Sequence, residues 1–277
     1  MLQLIDRYFL KQPAIRCFMT KLLVGSREES VNLLARNFCL HTVREHGFFR
    51  ASKLAQTCSL FRDEIPVLIH LAGILNDGDT FLDIGANIGI FAVNIASFRN
   101  VFANLKIYAF EPNGDTARRL RANAEPLGVK VLNMALSDRN GTLEFVDGAV
   151  SNVFTTIENA SSYSIQKKRS VCECRRLDGL KIDGDSIVMK IDVEGQEWEV
   201  LQGASSLFQA GRVKALYLDD FKDARVRNFL DRFGFRYFNG RTLEPGTDET
   251  RHLLAIARHT KGPHSRLASA PGVENHP

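Results

Sequence analysis

The run FLDIGANIGIFAVNIA, around Asp83, Gly85, Ala86, Asn87 and Gly89, holds the first residues whose types and spacing can do chemistry. It reads as a strand, a turn carrying Gly85 and Gly89, and a helix beginning near Ile88. Glycines permit a tight turn and close approach of a ligand to the backbone, and a helix start adds free N–H groups and partial positive charge. A dinucleotide loop would read GxGxxG with an acid about 20 residues further on. Here the run is GxNxG, with Asp83 two residues before Gly85. A carboxylate beside the turn repels a pyrophosphate but suits a ligand that carries an ammonium and a sulfonium. Glu111, in YAFEPN with Asn113, lies 26 residues after Gly85 and ends the next strand, where it can accept two ribose hydroxyls.

A second group sits in KIDVEGQEWEVLQGA. If the strand runs to Asp192, Lys190 and Asp192 share a face. A lysine in a sheet covered on both sides needs a carboxylate, so Lys190 should pair with Asp192, Asp83 or Glu194. The next strand ends LYLDDF and adds Asp219 and Asp220 if the two strands are neighbours.

These residues need strands to hold them. Short apolar runs separated by helical segments predict parallel α/β winding. Strands are expected near 80–84, 106–110, 129–134, 187–191 and 213–218, with a terminal pair at FRYFNG and 252–257 and a helix near 223–233. An insertion at 141–180 begins with the β-like GTLEFV. It contains Asn152, Phe154, Tyr163 and the run Lys167, Lys168, Arg169, and it is the expected substrate cover. Apolar spacing predicts a helix over 1–24, a second from a Ser26/Glu29 capping box through about Val43, and a third at 62–75. The expected organisation is a helical N-terminal extension at 1–76, a domain at 77–258 and a disordered tail at 259–277.

The chain has 277 residues, 44% hydrophobic and 25% charged, which sets aside fibrous and disordered classes. No apolar run approaches the roughly 20 residues of a membrane span. The net charge of +4 divides unevenly: 10 basic against 6 acidic residues in 1–76, 24 against 25 in 77–258, and 2 against 1 in the tail. A neutral centre argues against nucleic acid as substrate, because phosphate neutralisation supplies most of that affinity. The basic amphipathic N-terminal helix could lie on a membrane surface or pack on the domain or a second subunit. Five cysteines show no framework spacing, and Cys172 and Cys174 fit one face of a strand better than a zinc knuckle. Reduced thiols and the lack of a leader pattern predict a cytoplasmic protein.

DIGANIG, AFEPN, the ALSD segment from Ala135 to Asp138, and KIDVEGQEWEVLQGA together resemble the FkbM family of class I methyltransferases over about 62–257. The resemblance implies a doubly wound, mostly parallel seven-stranded sheet, S-adenosylmethionine as cofactor, and methylation of a hydroxyl on a sugar, glycan, glycolipid or polyketide-type molecule. It implies that Gly85, Asn87 and Gly89 wrap the methionine part and Glu111 holds the ribose. ALSD would lie along the adenine, with Ser137 or Asp138 reaching its exocyclic amine. In this chain Leu218, Asp219 and Asp220 stand where the family usually has a glutamate, which puts the roles of both aspartates in question.

A hydroxyl nucleophile must lose its proton, which nominates Asp192 and Glu194 as bases and Lys190 as an orienting group. Both acids would equally cap a helix starting at Gly195. None of the eight prolines lies in a Pro-Pro or Pro-Cys pair, the mark of amino and base-carbon DNA methyltransferases, so transfer to oxygen is favoured and DNA is not expected. Four acids around one strand end could hold Mg²⁺; the reading takes no residue as a metal ligand. A 2′-O methyltransferase of RNA and a non-catalytic nucleotide-binding scaffold stand as alternatives.

Overall fold

The computed structural model describes residues 13–53, 60–147, 154–156, 168–221, 223–246 and 251–258. Its elements are α1 (Pro13–Val24), β1 (Glu28–Leu33), β2 (Arg36–His41), α2 (His46–Lys53), a π-helical turn (Leu60–Glu64) and α3 (Ile65–Ile74). The central domain contributes β3 (Thr80–Ile84), α4 (Ile90–Ala96), β4 (Lys106–Phe110), α5 (Gly114–Ala124), β5 (Lys130–Leu132) and β6 (Ala135–Leu136). There follow β7 (Gly141–Asp147), β8 (Phe154–Thr156), β9 (Lys168–Arg175), β10 (Ile187–Ile191), α6 (Glu197–Gly203) and α7 (Ser205–Gln209). The last are β11 (Val213–Asp220), α8 (Ala224–Arg232), β12 (Phe235–Asn239) and β13 (Arg251–Ala257).

Seven strands form the main sheet in the order β12-β13-β11-β10-β3-β4-β5. All neighbours from β11 to β5 are parallel, and β13 alone runs against them. Winding proceeds outward from β3 through β4 and β5 on one side and from β10 to β11 on the other. The order therefore switches between β3 and β10, where ligands of open α/β sheets bind. Strands β3 and β10 are buried at every residue, because helices cover both faces and the alternation of a half-exposed strand is lost. One face packs Phe81, Val188, Ala215 and Tyr217 against Leu71 and Phe91. The other packs Leu82, Met189 and Leu216 against Leu201, Phe208 and Phe229.

The helix predicted through Val43 is a β-hairpin instead. Val31, Leu33, Phe38 and Leu40 are all buried and alternate with more exposed neighbours, the period of a strand and not of a helix. Leu34 and Ala35 take left-handed φ of 54° and 60° and make the two-residue turn without the Asn-Gly signal usual there. The extension is thus mixed and not wholly helical. The hairpin is fastened to α5 by Cys39 N–H, which donates to Asn123 Oδ1 at 2.7 Å, and just past it buried Glu45 pairs with buried Arg119 at 2.6 Å.

The first predicted helix is described from Pro13 onward, and its earlier part lies outside the described residues. Phe18, Leu22 and Leu23 on α1 are more than 60% exposed, and no helix among the described residues is long and apolar enough to cross a membrane. The insertion contributes β7, β8 and β9 to a second sheet, β6-β9-β7-β8, which β6 joins from just before it. Cys172 and Cys174 share its inner face with Ala135, Leu143 and Phe145, as a strand requires, and burial pushes the Cys172 thiol up to about 12. Asn152, Tyr163, Lys167 and the tail at 259–277 lie outside the described residues.

Candidate active site

The turn after β3 is locked against the end of β10. Gly85 has φ 75°, and a Cβ there would lie 1.8 Å from the carbonyl oxygen of Asp192, so no other residue fits. Gly85 and Ala86 donate their N–H groups to Phe110 O at 3.0 and 2.9 Å. Asn87 is left-handed at φ 52°, and Gly89 N–H closes the turn on Ala86 O at 2.8 Å. Gly89, at φ 91°, lets the start of α4 press on Leu120, whose Cδ1 would be 2.6 Å from a Cβ.

Glu111 stands beyond this turn at the end of β4, nearly buried. Asn87 N–H donates to its Oε2 and Asn113 N–H to its Oε1, both at 2.9 Å. Burial raises its carboxyl to about 7, although the two N–H donors favour the charge. Asn113 also caps α5, its side chain accepting from Thr116 N–H at 3.1 Å. A cavity of about 690 Å³, counted to its open mouth, extends from here. Gly85, Asn87, Glu111 and Pro112 line one side, Met134, Ala135, Leu136, Leu143 and Phe145 an apolar end, and Asp192, Val193, Glu194 and Gln196 the other.

Several sequence-nominated residues lie off that wall. Asp83 is wholly buried beneath the turn. Its Oδ2 accepts from Ala92 N–H at 3.0 Å and its Oδ1 faces Lys190 Nζ at 3.5 Å. Ser137 is buried with its Oγ on Asp138 Oδ1 at 3.2 Å. Asp138 lines a different cavity with Arg176 and Trp198.

Lys190 is almost completely buried. Its Nζ donates to Gly85 O at 2.8 Å, lies 3.3 Å from Asp192 Oδ2, and sits 5.5 Å above the Phe91 ring. Burial opposes its charge, but Asp192 and Asp83, with Asp219 and Glu64 behind them, outweigh burial and raise its pKa above the ordinary value. It stays an ammonium and takes no proton. Burial raises the Asp192 carboxyl above its ordinary value, although Lys190 pulls it down. Glu194, in a left-handed backbone at φ 54°, is pushed up to about 7, by burial first and then by Asp192. Neither acid caps α6: its N-cap is Gln196, and Glu197 accepts Gly195 N–H at 3.0 Å.

Sequence reasoning passed over Glu64, Tyr217 and His252. Glu64 ends the π turn, and burial pushes it to about 8, with Lys190, Asp192 and Asp219 among the charges that act on it. Tyr217 lies opposite Lys190 in the β10–β11 register. The period-2 face that places Lys190 beside Asp192 would have flagged Tyr217 beside Asp219. Among the described residues no three His, Cys, Asp or Glu side chains converge as metal ligands.

The Methyltransferase FkbM domain matches residues 83–237. The hexuronic acid methyltransferase AglP of Haloferax volcanii is 30% identical over 152 residues, covering 54% of this chain; the chain spans 59% of that relative. Among solved structures, a methyltransferase FkbM from Methylobacillus flagellatus aligns over 66% of this chain and 45% of its own at 15% identity and TM-score 0.40. A TehB-like SAM-dependent methyltransferase from Corynebacterium glutamicum aligns over 77% and 97% at 10% identity and TM-score 0.42. The domain match spans the glycine turn, Glu111 and the Lys190–Asp192 pair, and on it this chain belongs to the FkbM family of S-adenosylmethionine-dependent methyltransferases.

Proposed function

We propose that the protein transfers a methyl group from S-adenosylmethionine to a hydroxyl of a hexuronic-acid-type sugar in a glycan or glycolipid. The residues present suit that cofactor. Each Glu111 oxygen has one lone pair on a backbone N–H and keeps another for a hydroxyl, which matches a vicinal ribose diol. Met134, Leu136, Leu143 and Phe145 offer an apolar surface for the adenine, and the Asn87 turn and the Asp192–Glu194 segment take the methionine end. Bound there, the cofactor supplies an electrophilic methyl on sulfur.

The observation that carries the reading is the pair of buried Lys190 with half-buried Asp192, held to Gly85 O on the cavity wall away from the apolar end. Transfer from a sulfonium is an in-line displacement, and alignment is the main protein contribution. Asp192, 3.3 Å from the Lys190 ammonium, accepts the hydrogen bond of the acceptor hydroxyl and fixes its direction. Glu194 completes that wall. The sugar acceptor is taken from the AglP relative, which methylates a hexuronic acid.

The test is transfer of labelled methyl to methyl β-D-glucuronoside, a neutral glycoside and RNA. Label should enter the glucuronoside and resist mild base, which would release a methyl ester. Asp192→Asn should lower kcat on the order of 100-fold while cofactor Kd stays within about threefold. Equal losses in both would assign Asp192 to cofactor binding, and label in RNA alone would overturn the acceptor.

A further inference from the structure

A helix on the outside of a domain ordinarily turns its apolar side inward and its charges to water. In α1 the arrangement is reversed. Ile15, Phe18 and Leu22 recur three and four residues apart and share a face, with Leu23 beside them, and they are 37, 63, 67 and 73% exposed in that order. The opposite face, Cys17, Thr20 and Val24, is the one that meets the protein. Thr20 is buried, Val24 packs on the core, and the helix rests on α2. At about 100° per residue, Lys21 stands at one edge of the outward face, next to Phe18, and Arg16 at the other, next to Leu23.

The helix is fastened at its C-terminal end. Gly25 N–H donates to Lys21 O at 3.1 Å, Arg27 Nη1 donates to Val24 O at 2.6 Å, and Thr42 Oγ1 at the end of the hairpin donates to Gly25 O at 2.7 Å. The charge around it is one-sided. Residues 13–53 carry seven basic and three acidic side chains, and each acid is paired: Glu28 with Arg118, Glu45 with Arg119, and Glu29 with Arg27 and Lys53. On α1 and α2 themselves stand Arg16, Lys21, Arg50 and Lys53 and no acid.

We propose that α1 docks the protein on an anionic lipid surface, laying Ile15, Phe18, Leu22 and Leu23 into the headgroup boundary while Lys21 and Arg16 meet the headgroups at its edges. Charge selects a lipid surface over a second copy of the chain. A two-fold interface presents the same patch on both subunits, so it would set one basic rim against the other. Size points the same way. A helix of 12 residues is about 18 Å long and about 10 Å across, a strip far short of the about 800 Å² that each partner of a stable dimer buries. One apolar strip with basic flanks is what a reversible membrane contact requires. None of residues 13–53 lines the cofactor cavity, so the docking does not depend on which acceptor is methylated.

The test is flotation of the full chain with vesicles of mixed phosphatidylcholine and phosphatidylglycerol. The chain should float with them, and binding should be on the order of tenfold weaker to phosphatidylcholine alone and should fall as salt is raised. Phe18→Ser combined with Leu22→Ser should weaken binding on the order of 30-fold, with the urea midpoint unchanged because neither side chain is buried. The chain has one tryptophan, Trp198, so Leu22→Trp adds a second reporter. Its emission should be quenched by lipids brominated on their acyl chains, and that of the wild-type chain should not. Absence of flotation, equal binding to neutral vesicles, or binding untouched by the double substitution would overturn the proposal. A dimer in light scattering that the double substitution returns to monomer would overturn it in favour of a second copy. Leu22→Trp emission already shielded from aqueous iodide in a monomer without vesicles would overturn it too, and give the face to the chain's own residues 1–12.

Discussion

Glu111 keeps its carboxyl where burial disfavours the charge, and its behaviour with pH follows. The ordinary value of 4.5 rises to about 7 in the folded chain, so the free protein draws stability from the protonated form. That contribution is complete below about 4.5 and is lost as pH climbs through about 7. In the proposed site cofactor binding has the opposite sign, because only the ionised carboxylate would accept both ribose hydroxyls. Affinity measured by calorimetry should therefore rise about three- to tenfold from pH 6 to pH 8. Glu111→Gln should flatten that dependence, and Glu111→Ala should weaken binding by about 1 to 3 kcal/mol. A pH-independent Kd in the wild-type chain would remove Glu111 from the site. Glu111 and Lys190 were readable in the sequence because each ends a strand with an unmistakable apolar run. Ser137 and Asp138 were not, since a two-residue strand, Ala135–Leu136, turns them behind the wall it forms. Glu64 was hidden for another reason: a π turn has no sequence period to mark it, although such turns often accompany functional sites.

The N-terminal hairpin and α5 form one element pair, and it is joined by charge as much as by apolar contact. The side chains of Arg119 and Glu45 are at most 2% exposed, and Thr116 Oγ1 lies 3.3 Å from the same guanidinium nitrogen. Removing Glu45 leaves the buried Arg119 with only the half-exposed Glu28 at 3.4 Å, so Glu45→Ala should destabilise the chain by about 3 kcal/mol, read as a lowered urea midpoint. Arg118→Ala, which breaks an exposed pair with Glu28, should cost at most about 1 kcal/mol. If both variants unfold alike, the buried pair is not what fastens the hairpin. The parallel strands β3, β4 and β10 sat within their expected bounds, because buried apolar runs between helical segments have few other readings. The hairpin was misread as helix since Ser26 and Glu29 carry capping-box types, while the turn at Leu34 and Ala35 lacks glycine. Its alternation, Val31, Leu33, Phe38 and Leu40, was nonetheless present to be counted.

At the level of the whole molecule, the excess charge stands apart from the cavity. Residues 77–258 carry 24 basic and 25 acidic side chains, and the groups on the cavity wall that ionise are acids. An enzyme that held RNA through 6 to 10 phosphates would lose about 10³ to 10⁵ in affinity between 50 and 200 mM salt. Here kcat/KM for a small glycoside should change less than about threefold over that range, measured as initial rates of label transfer. A steep fall would return the RNA reading to favour. The close contact of Gly85 with the Asp192 carbonyl bears on how this scaffold diversifies. Lys190 bonds to the same glycine, so the turn after β3 and the end of β10, which the proposed function gives to the methyl donor and the acceptor, behave as one casting. Neither can drift without the other, and the donor-to-acceptor spacing is inherited intact. New acceptors must then arise from the attached pieces, the π turn and the second sheet, which can be recut while the reacting geometry stays as it is.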